Sequence, residues 1–474
     1  MKKDQIIKLL LIIFLSGDLF FSFLQYYNTP LYGDVDSHVL PDEHIQKVID
    51  DPFGFKAISG EKHTNPNRYF SHLMVMKYMQ KTPILLQKFV EPVTSVYLSV
   101  AILKILVQIL FIYLVARFVS GTAKIQNKNF LITAILVTPL FQVYGYWSRM
   151  GIVDQSVNYT FFYAVPIVLM MLFLFPIFNS YFRKSKFNRT NYLYLLPLTV
   201  ILPLSGPLIP AVLLLVSFFI LVSAVTEKKN GRLKLLYQKF FRLPDWFYVV
   251  LIPVSIFSLY SLVLGFYNTN YEGESLSLIK RFLLLPRGIL SYVSHSLGVP
   301  LLLTAIFINT YFLRKDQTEE SVKLLNLFQW IGLFCLVYTL LLPFGGYRPY
   351  RALIIRYDTI IPVTIALIYI FTVSAFYIIN RADGKFKNKF LIYIAFVLLV
   401  FTFADFKGLG KNKCEKAAFY KMATSSEKII QLPKDCFIMN WENITDFKRS
   451  ENRAELIYRW NITREKKLFY NLPD

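Results

Sequence analysis

Charged residues are scarce in this sequence. Of its 474 residues, 17% are charged, whereas 55% are hydrophobic and 17% are aromatic. The mean hydropathy is +0.44. A soluble domain cannot bury that much apolar surface, so the composition excludes an ordinary soluble protein and predicts an integral membrane protein.

The few charges separate apolar runs that are long enough to cross a membrane. A helix needs about 20 residues to span a hydrocarbon core of about 30 Å. We therefore predict an all-α polytopic membrane protein with eleven transmembrane helices, near residues 7–27, 93–119, 129–146, 160–181, 192–205, 207–225, 246–266, 298–313, 325–343, 357–380 and 389–405.

Acidic residues are also few, 30 against 52 lysines and arginines, and the positions of the basic residues predict the orientation. Basic residues are retained on the cytoplasmic side. The N-terminus is therefore predicted inside and the C-terminus outside, and the net charge of +22 reflects topology and not nucleic-acid binding. The basic connections hold Lys2 and Lys3; Lys124 and Lys128; Arg183, Lys184, Lys186 and Arg189; Lys228, Lys229, Arg232 and Lys234; Arg314 and Lys315; and Arg381, Lys385 and Lys387.

A cleavage site for a signal peptidase is missing after the first apolar run. This run ends in Phe23-Leu24-Gln25-Tyr26-Tyr27-Asn28, without two small residues at the required spacing. We therefore expect the first segment to remain as an uncleaved span.

Histidine is rare, and every histidine falls in a gap that is predicted to lie outside. The gap 28–92 holds four of the five and opens with the run Gly33 to His38, which contains Asp34 and Asp36. Long ordered loops usually carry function. The later part of this loop, with Met74, Val75, Met76 and Tyr78, predicts an amphipathic helix at the membrane surface. The five are His38, His44, His63, His72 and His295.

The outer gaps also hold arginines that oppose the charge pattern of the other connections. Such residues need an anionic partner, which could be a substrate phosphate, a lipid headgroup, or the acids Asp358 and Glu274. The arginines concerned are Arg68, Arg149, Arg287, Arg348, Arg351 and Arg356.

The order of these features resembles the GT-C glycosyltransferases. It comprises a first helix, the acidic motif Asp34-Val35-Asp36, a large first loop with a surface helix, many further spans and a C-terminal outer domain. The resemblance covers the architecture of the whole chain. It implies a polyprenyl-phosphate-linked sugar donor, a glycan, lipid or protein acceptor, and an outward-facing site in a bacterial inner membrane.

Sugar transfer requires a group that takes the acceptor proton and positive charge at the leaving phosphate. Asp34 or Asp36 would be the base, although either could instead cap a helix. No cofactor is required, but Asp34, Asp36 and His38 would share one side of an extended segment, where they could hold a divalent cation. Substrate binding would fall to His38, Arg68, Arg149, Arg287, Arg348, Arg351 and Arg356.

Two other classes of function remain open. A lipid-carrier flippase or transporter would also have many spans, but it would favour broken helices and an internal repeat, which is not visible. A polysaccharide polymerase or a membrane acyltransferase would also place its catalytic groups in outer loops. Convergence of the first-loop acids and the arginines near 348–356 on one cavity would favour the transferase.

The chain is predicted to divide into a membrane domain, residues 1–405, and a small mixed α/β outer domain, residues 406–474. Of the three cysteines, Cys335 lies within a span as an apolar filler. Cys414 and Cys436 lie in the outer domain, where a disulfide is permitted but not required.

Two charges fall within predicted spans. Asp18 in the first span and Lys104 in the second lie at similar distances from the outer ends of their helices. An unpaired charge in a membrane costs several kcal/mol. We therefore predict that they pair, directly or through one polar group such as Gln108.

Overall fold

The computed structural model describes residues 3–226, 243–269 and 276–472 of a mostly helical chain. Seven of its helical segments are long and apolar enough to cross a membrane, and a pair bent by 84° between Ser294 and Gly298 would make an eighth. The prediction of a polytopic membrane protein agrees with this architecture. The seven are Asp4–Tyr27, Pro92–Ser120, Val157–Arg183, Phe247–Phe266, Glu319–Gly345, Tyr357–Arg381 and Gly384–Ala404.

The predicted count of eleven exceeds what helix length supports in the described residues. Predicted spans 129–146, 192–205, 207–225 and 298–313 correspond to short helices or to one arm of the bent pair. Their apolar runs are divided by prolines, including Pro139, Pro197 and Pro203. Proline removes a backbone donor and interrupts a helix.

Six of the charged residues named above, together with Glu272, lie outside the described residues; the six are Lys2, Lys228, Lys229, Arg232, Lys234 and Glu274.

The α-helices follow one another along the chain, with short 3₁₀ or π segments between some of them. The first part holds α1 Lys3–Tyr27, α2 Val35–Val39, α3 Glu43–Asp50, α4 Phe55–Ile58, α5 Tyr69–Leu86, α6 Pro92–Ser120, α7 Lys128–Val137, α8 Trp147–Met150, α9 Val157–Tyr159, α10 Val165–Arg183, α11 Arg189–Ile201 and α12 Ile209–Thr226. The second part holds α13 Ile252–Phe266, α14 Leu278–Ser294, α15 Gly298–Asp316, α16 Glu319–Leu341, α17 Tyr357–Arg381, α18 Gly384–Ala404, α19 Lys413–Thr424 and α20 Glu451–Arg459.

The first loop folds into four helices, α2 to α5. The predicted amphipathic helix is α5, whose buried residues Ser71, His72, Val75, Met76 and Met79 recur at helical spacing on one face. This face packs against α6 and against the π segment Thr160–Ala164. The sequence correctly predicts the helix, and its packing carries the first loop onto the end of the bundle.

The C-terminal region packs against this loop. Its two strands, β1 Ile429–Leu432 and β2 Leu468–Asn471, form a parallel pair in which Ile430 lies opposite Phe469. Cys414 and Cys436 form a disulfide. Phe419 and Trp460 share one buried cluster with Val35 and Met79 of the first loop. The first loop and the C-terminal region therefore lie at the same end of the bundle, whereas the side of the membrane remains a prediction.

The predicted pairing of Asp18 with Lys104 is wrong. Lys104 Nζ donates to the Gln155 carbonyl at 2.6 Å and lies over the Tyr26 ring, 5.8 Å from its centroid. Tyr26 is eight residues beyond Asp18, about 12 Å along α1. Side chains point toward the N-terminus of their helix, and α1 and α6 run in opposite directions, so the two charges diverge. Gln108 bonds instead to Ser22 and Tyr26.

Candidate functional site

The run Gly33 to His38 is not extended, because Val35–Val39 forms α2. Gly33 has φ +93°, and a side chain there would come within 2.7 Å of Ser156 Oγ, so only glycine fits this turn. Asp34 and His38 are four residues apart and share a face. Asp36 points elsewhere, and its carboxylate lies 3.5 Å from the Arg453 guanidinium.

The prediction of an extended segment with three aligned ligands is therefore wrong. Asp34 is exposed, whereas Asp36 is 4% exposed and faces the C-terminal region. Burial raises the pKa of Asp36, and Arg453 partly opposes that shift. No group of three histidine, cysteine or acidic side chains converges within the described residues. Of the two acids predicted to be catalytic, Asp34 is the one that a substrate could reach.

The contacts of His38 favour one tautomer. Its Nδ1 lies 2.7 Å from the Asp34 carbonyl, which can only accept, so this contact favours a proton on Nδ1 and a lone pair on Nε2. The Asn158 side-chain amide, whose Nδ2 is 3.1 Å from the same Nδ1, would then turn its oxygen toward that N–H. Burial lowers the pKa of His38. The ring is therefore neutral at pH 7 and has one basic nitrogen.

His72 lies directly behind His38. The two rings stack with centroids 5.2 Å apart and an angle of 10° between their planes. Neither ring nitrogen of His72 has a hydrogen-bond partner among the described residues, and the residue is 3% exposed. Burial lowers its pKa well below the usual value, and His38 and Arg68 lower it further.

Arg68 borders both histidines. Its guanidinium lies over the Phe162 ring at 5.7 Å, and Phe162 also contacts His38 and His72 edge-on. Arg68 Nε is buried without a hydrogen-bond partner in the described part of the chain. Arg68 also interacts electrostatically with Tyr163, one residue beyond Phe162. Phe162 and Tyr163, near the start of the helical segment Val157–Arg183, therefore lie between the first loop and Arg351.

Two of the predicted arginines, Arg351 and Arg356, bind one carboxylate close to Tyr163. Arg356 donates from Nε and Nη2 to the two oxygens of Asp358, at 2.8 and 2.7 Å. Arg351 Nη2 donates to Asp358 at 2.6 Å and to the Tyr163 hydroxyl at 2.9 Å. Asp358 is 1% exposed, whereas the side chains of Arg351 and Arg356 are 17% and 21% exposed. One buried carboxylate thus holds two arginines at the surface of the site.

A second buried carboxylate lies beside them. Asp154 accepts from the Ser156 amide at 2.7 Å and interacts with the Tyr357 hydroxyl, with Asp358 and with Lys104. Burial raises the pKa of Asp154. Spacing along the chain does not predict that Asp154 and Lys104 interact, because Asp154 lies in an irregular loop and Lys104 lies fifty residues away within an apolar run.

Unpaired polar atoms concentrate in this region. Buried polar groups are usually hydrogen-bonded, and each exception needs an explanation. Within the described ranges, buried side-chain atoms without a hydrogen-bond partner occur here in Asp36, Arg68, His72, Trp147, Arg149, Ser156, Asn158 and Arg351.

The other predicted arginines lie at the edge of this cluster. Arg149 Nη2 is 3.4 Å from Ser291 Oγ on α14. Arg287, also on α14, is exposed. Arg348 Nη1 donates to the Tyr347 carbonyl at 3.1 Å. Arg351 therefore contacts Tyr163, the residue after the Phe162 that packs on His38 and His72, and Arg356 joins it through Asp358.

A comparison of this sequence with protein-family models and with curated proteins finds no match.

Proposed function

We propose that this protein is a membrane glycosyltransferase that moves a sugar from a polyprenyl-phosphate-linked donor to an acceptor on the outer face of the membrane. Its architecture and its resemblance to the GT-C enzymes suggest the reaction. The observation that carries the proposal is the excess of positive charge in the cluster. Arg351 and Arg356 share the one carboxylate of Asp358, Arg68 lies over the nearby Phe162 ring, and Lys104 is offset by Asp154.

An excess of partly buried positive charge is costly unless an anion neutralises it. Arginine suits a phosphate because its guanidinium donates two parallel hydrogen bonds. Asp358 orients Arg351 and Arg356, yet the Nε of Arg351 remains without a hydrogen-bond partner among the described residues. These two side chains would hold the lipid phosphate.

His38 is the residue best placed to take the acceptor proton. In the transfer, the acceptor O–H bond breaks and its proton passes to His38 Nε2, while the acceptor oxygen bonds to the anomeric carbon. The bond between that carbon and the phosphate oxygen breaks, and the polyprenyl phosphate leaves with the electron pair. The arginines stabilise the negative charge that develops there. Asp34 would help to orient the acceptor, and a divalent cation at Asp34 stays a prediction.

The test is transfer by the purified protein in nanodiscs, supplied with a panel of polyprenyl-phosphate sugars. Arg351→Gln and Arg356→Gln should each raise the KM for the donor about 10- to 100-fold, since a charge-assisted hydrogen bond contributes about 1.5–3 kcal/mol. Arg459→Gln is the matched control, because Arg459 pairs with Glu455 on α20. Unchanged kinetics in both site variants would contradict the proposed phosphate site.

Each variant leaves Asp358 with one arginine partner but alters a buried ion-pair network, so folding needs a separate readout. The triple variant Arg351→Gln, Arg356→Gln and Asp358→Asn removes all three charges of this network and leaves none of them unpaired. It should recover thermal stability but not donor affinity. Recovery of both would assign the ion pair a purely structural role.

A lipid-carrier transporter is the second candidate, because the bent pair at Ser294–Gly298, taken as one span, would be a broken helix of the kind that transporters use. The same preparation in liposomes separates the two functions. Movement of the lipid-linked sugar between leaflets without transfer would favour the transporter.

A further inference from the structure

The C-terminal region presents one tryptophan to solvent. Trp441 is 50% exposed, whereas the other four tryptophans are buried or half-buried. An exposed indole offers a ligand a large, rigid apolar face with an N–H donor at its edge.

The segment that carries Trp441 is fixed on both sides. The Met439 amide donates to Glu415 at 3.2 Å, and the Ile444 amide donates to Asn471 at 2.9 Å. The disulfide of Cys436 anchors the same segment to α19. The indole is therefore held in place at little further entropic cost to a ligand.

Trp441 lies beside the first-loop motif. Its ring stacks on Tyr32 with centroids 5.5 Å apart and planes within 3°. The edge of the ring lies 3.6 Å from the point that a side chain on Gly33 would occupy. The next residue is the exposed Asp34. Tyr32 covers one face of the indole, which leaves the exposed fraction to the opposite face and the edge.

We propose that Trp441, supported by Tyr32, is the binding subsite for a saccharide acceptor. This inference rests on the proposed sugar transfer. One face of a pyranose ring carries C–H groups that pack on an aromatic face, while its hydroxyls donate to a neighbouring carboxylate, here Asp34. We assign the site to the acceptor because it adjoins the turn at Gly33, which leads directly into Asp34 and the helix of the proposed base His38. The arginines that would hold the lipid phosphate lie beyond Phe162 and Tyr163.

Binding can be tested without turnover. The labelled full-length protein, in nanodiscs free of sugar-based detergent, is applied to a microarray of bacterial and synthetic oligosaccharides. Trp441→Ala should weaken binding to the recognised glycans more than 10-fold, whereas Trp441→Phe should stay within about 3-fold of the wild type. Tyr458→Ala is the matched control, because Tyr458 is an exposed aromatic residue, 44% exposed, on α20.

Two results would overturn the subsite. One is wild-type binding by Trp441→Ala, and the other is no glycan binding by the wild-type protein. Glycan binding that depends on Trp441, combined with no sugar transfer from any donor, would instead retain the subsite and reject the proposed reaction.

Discussion

His38 owes its proposed role to one hydrogen bond. The Asp34 carbonyl favours a proton on Nδ1, and the stacked His72 holds the ring plane. Burial keeps the ring neutral by lowering its pKa. A general base needs this combination of a fixed orientation and a free lone pair near neutral pH.

Replacing His38 by Gln should lower kcat about 10² to 10⁴-fold, the usual contribution of a general base. In the wild type, kcat/KM should fall in acid with a midpoint below 6.5, because burial lowers the pKa of His38. The variant should lose this acid limb. His44→Gln is the control, since His44 is exposed. If Asp34→Asn removes the limb and His38→Gln retains it, the base is Asp34.

At the scale of the element, α19 fastens the C-terminal region to the first loop through Glu415. This buried carboxylate accepts from the Leu31 amide at 2.9 Å, the Tyr97 hydroxyl at 2.7 Å and the Met439 amide at 3.2 Å. Burial nevertheless dominates and raises the pKa of Glu415 to about 7. The folded protein therefore holds a proton at Glu415 that the unfolded chain releases near 4.5.

This shift predicts a pH dependence of stability. A raised acid pKa favours the folded state fully below pH 4.5, and the advantage is lost as the pH rises to about 7. The loss is on the order of 3 kcal/mol. Glu415→Gln should lower the Tm at pH 5, since an amide has one acceptor oxygen, but flatten the change between pH 5 and pH 8. An unchanged slope, with Glu427→Gln as an exposed control, would contradict the assignment.

At the scale of the whole molecule, the first loop and the C-terminal region form one assembly at the same end of the helical bundle. The disulfide of Cys414 and Cys436 lies within it, and a disulfide persists in an oxidising compartment. Cys335 is the remaining, free cysteine. Cysteine chemistry can therefore report which side of the membrane the assembly occupies.

In protein isolated from a bacterial inner membrane without reductant and then denatured, a maleimide should label one of the three cysteines. Reduction before labelling should raise the number to three. The Cys335→Ser variant should show none without reductant. Labelling of three cysteines in the unreduced wild type would place the C-terminal region in the cytoplasm and contradict the predicted orientation.

The sequence predicts elements better than contacts. Apolar length predicts helices such as α6, α17 and α18, and helical spacing predicts α5. Alternation of Asp34, Asp36 and His38 misleads, because periodicity in so short a segment does not distinguish a strand from a single helical turn. Proline within apolar runs explains why only seven or eight of the eleven predicted spans reach spanning length in the described residues.

Composition, apolar run length and the placement of arginines are properties of the chain itself, so the sequence alone determined a membrane protein with an unusual distribution of arginines among its connections. The tertiary structure decided which charges meet. Lys104 donates to the Gln155 carbonyl and does not pair with Asp18. Asp358 forms ion pairs with both Arg351 and Arg356, and Asp36 lies beside Arg453 of the C-terminal region. Charges pair according to distance and side-chain direction across helices far apart in sequence, and neither quantity can be read from spacing along one chain.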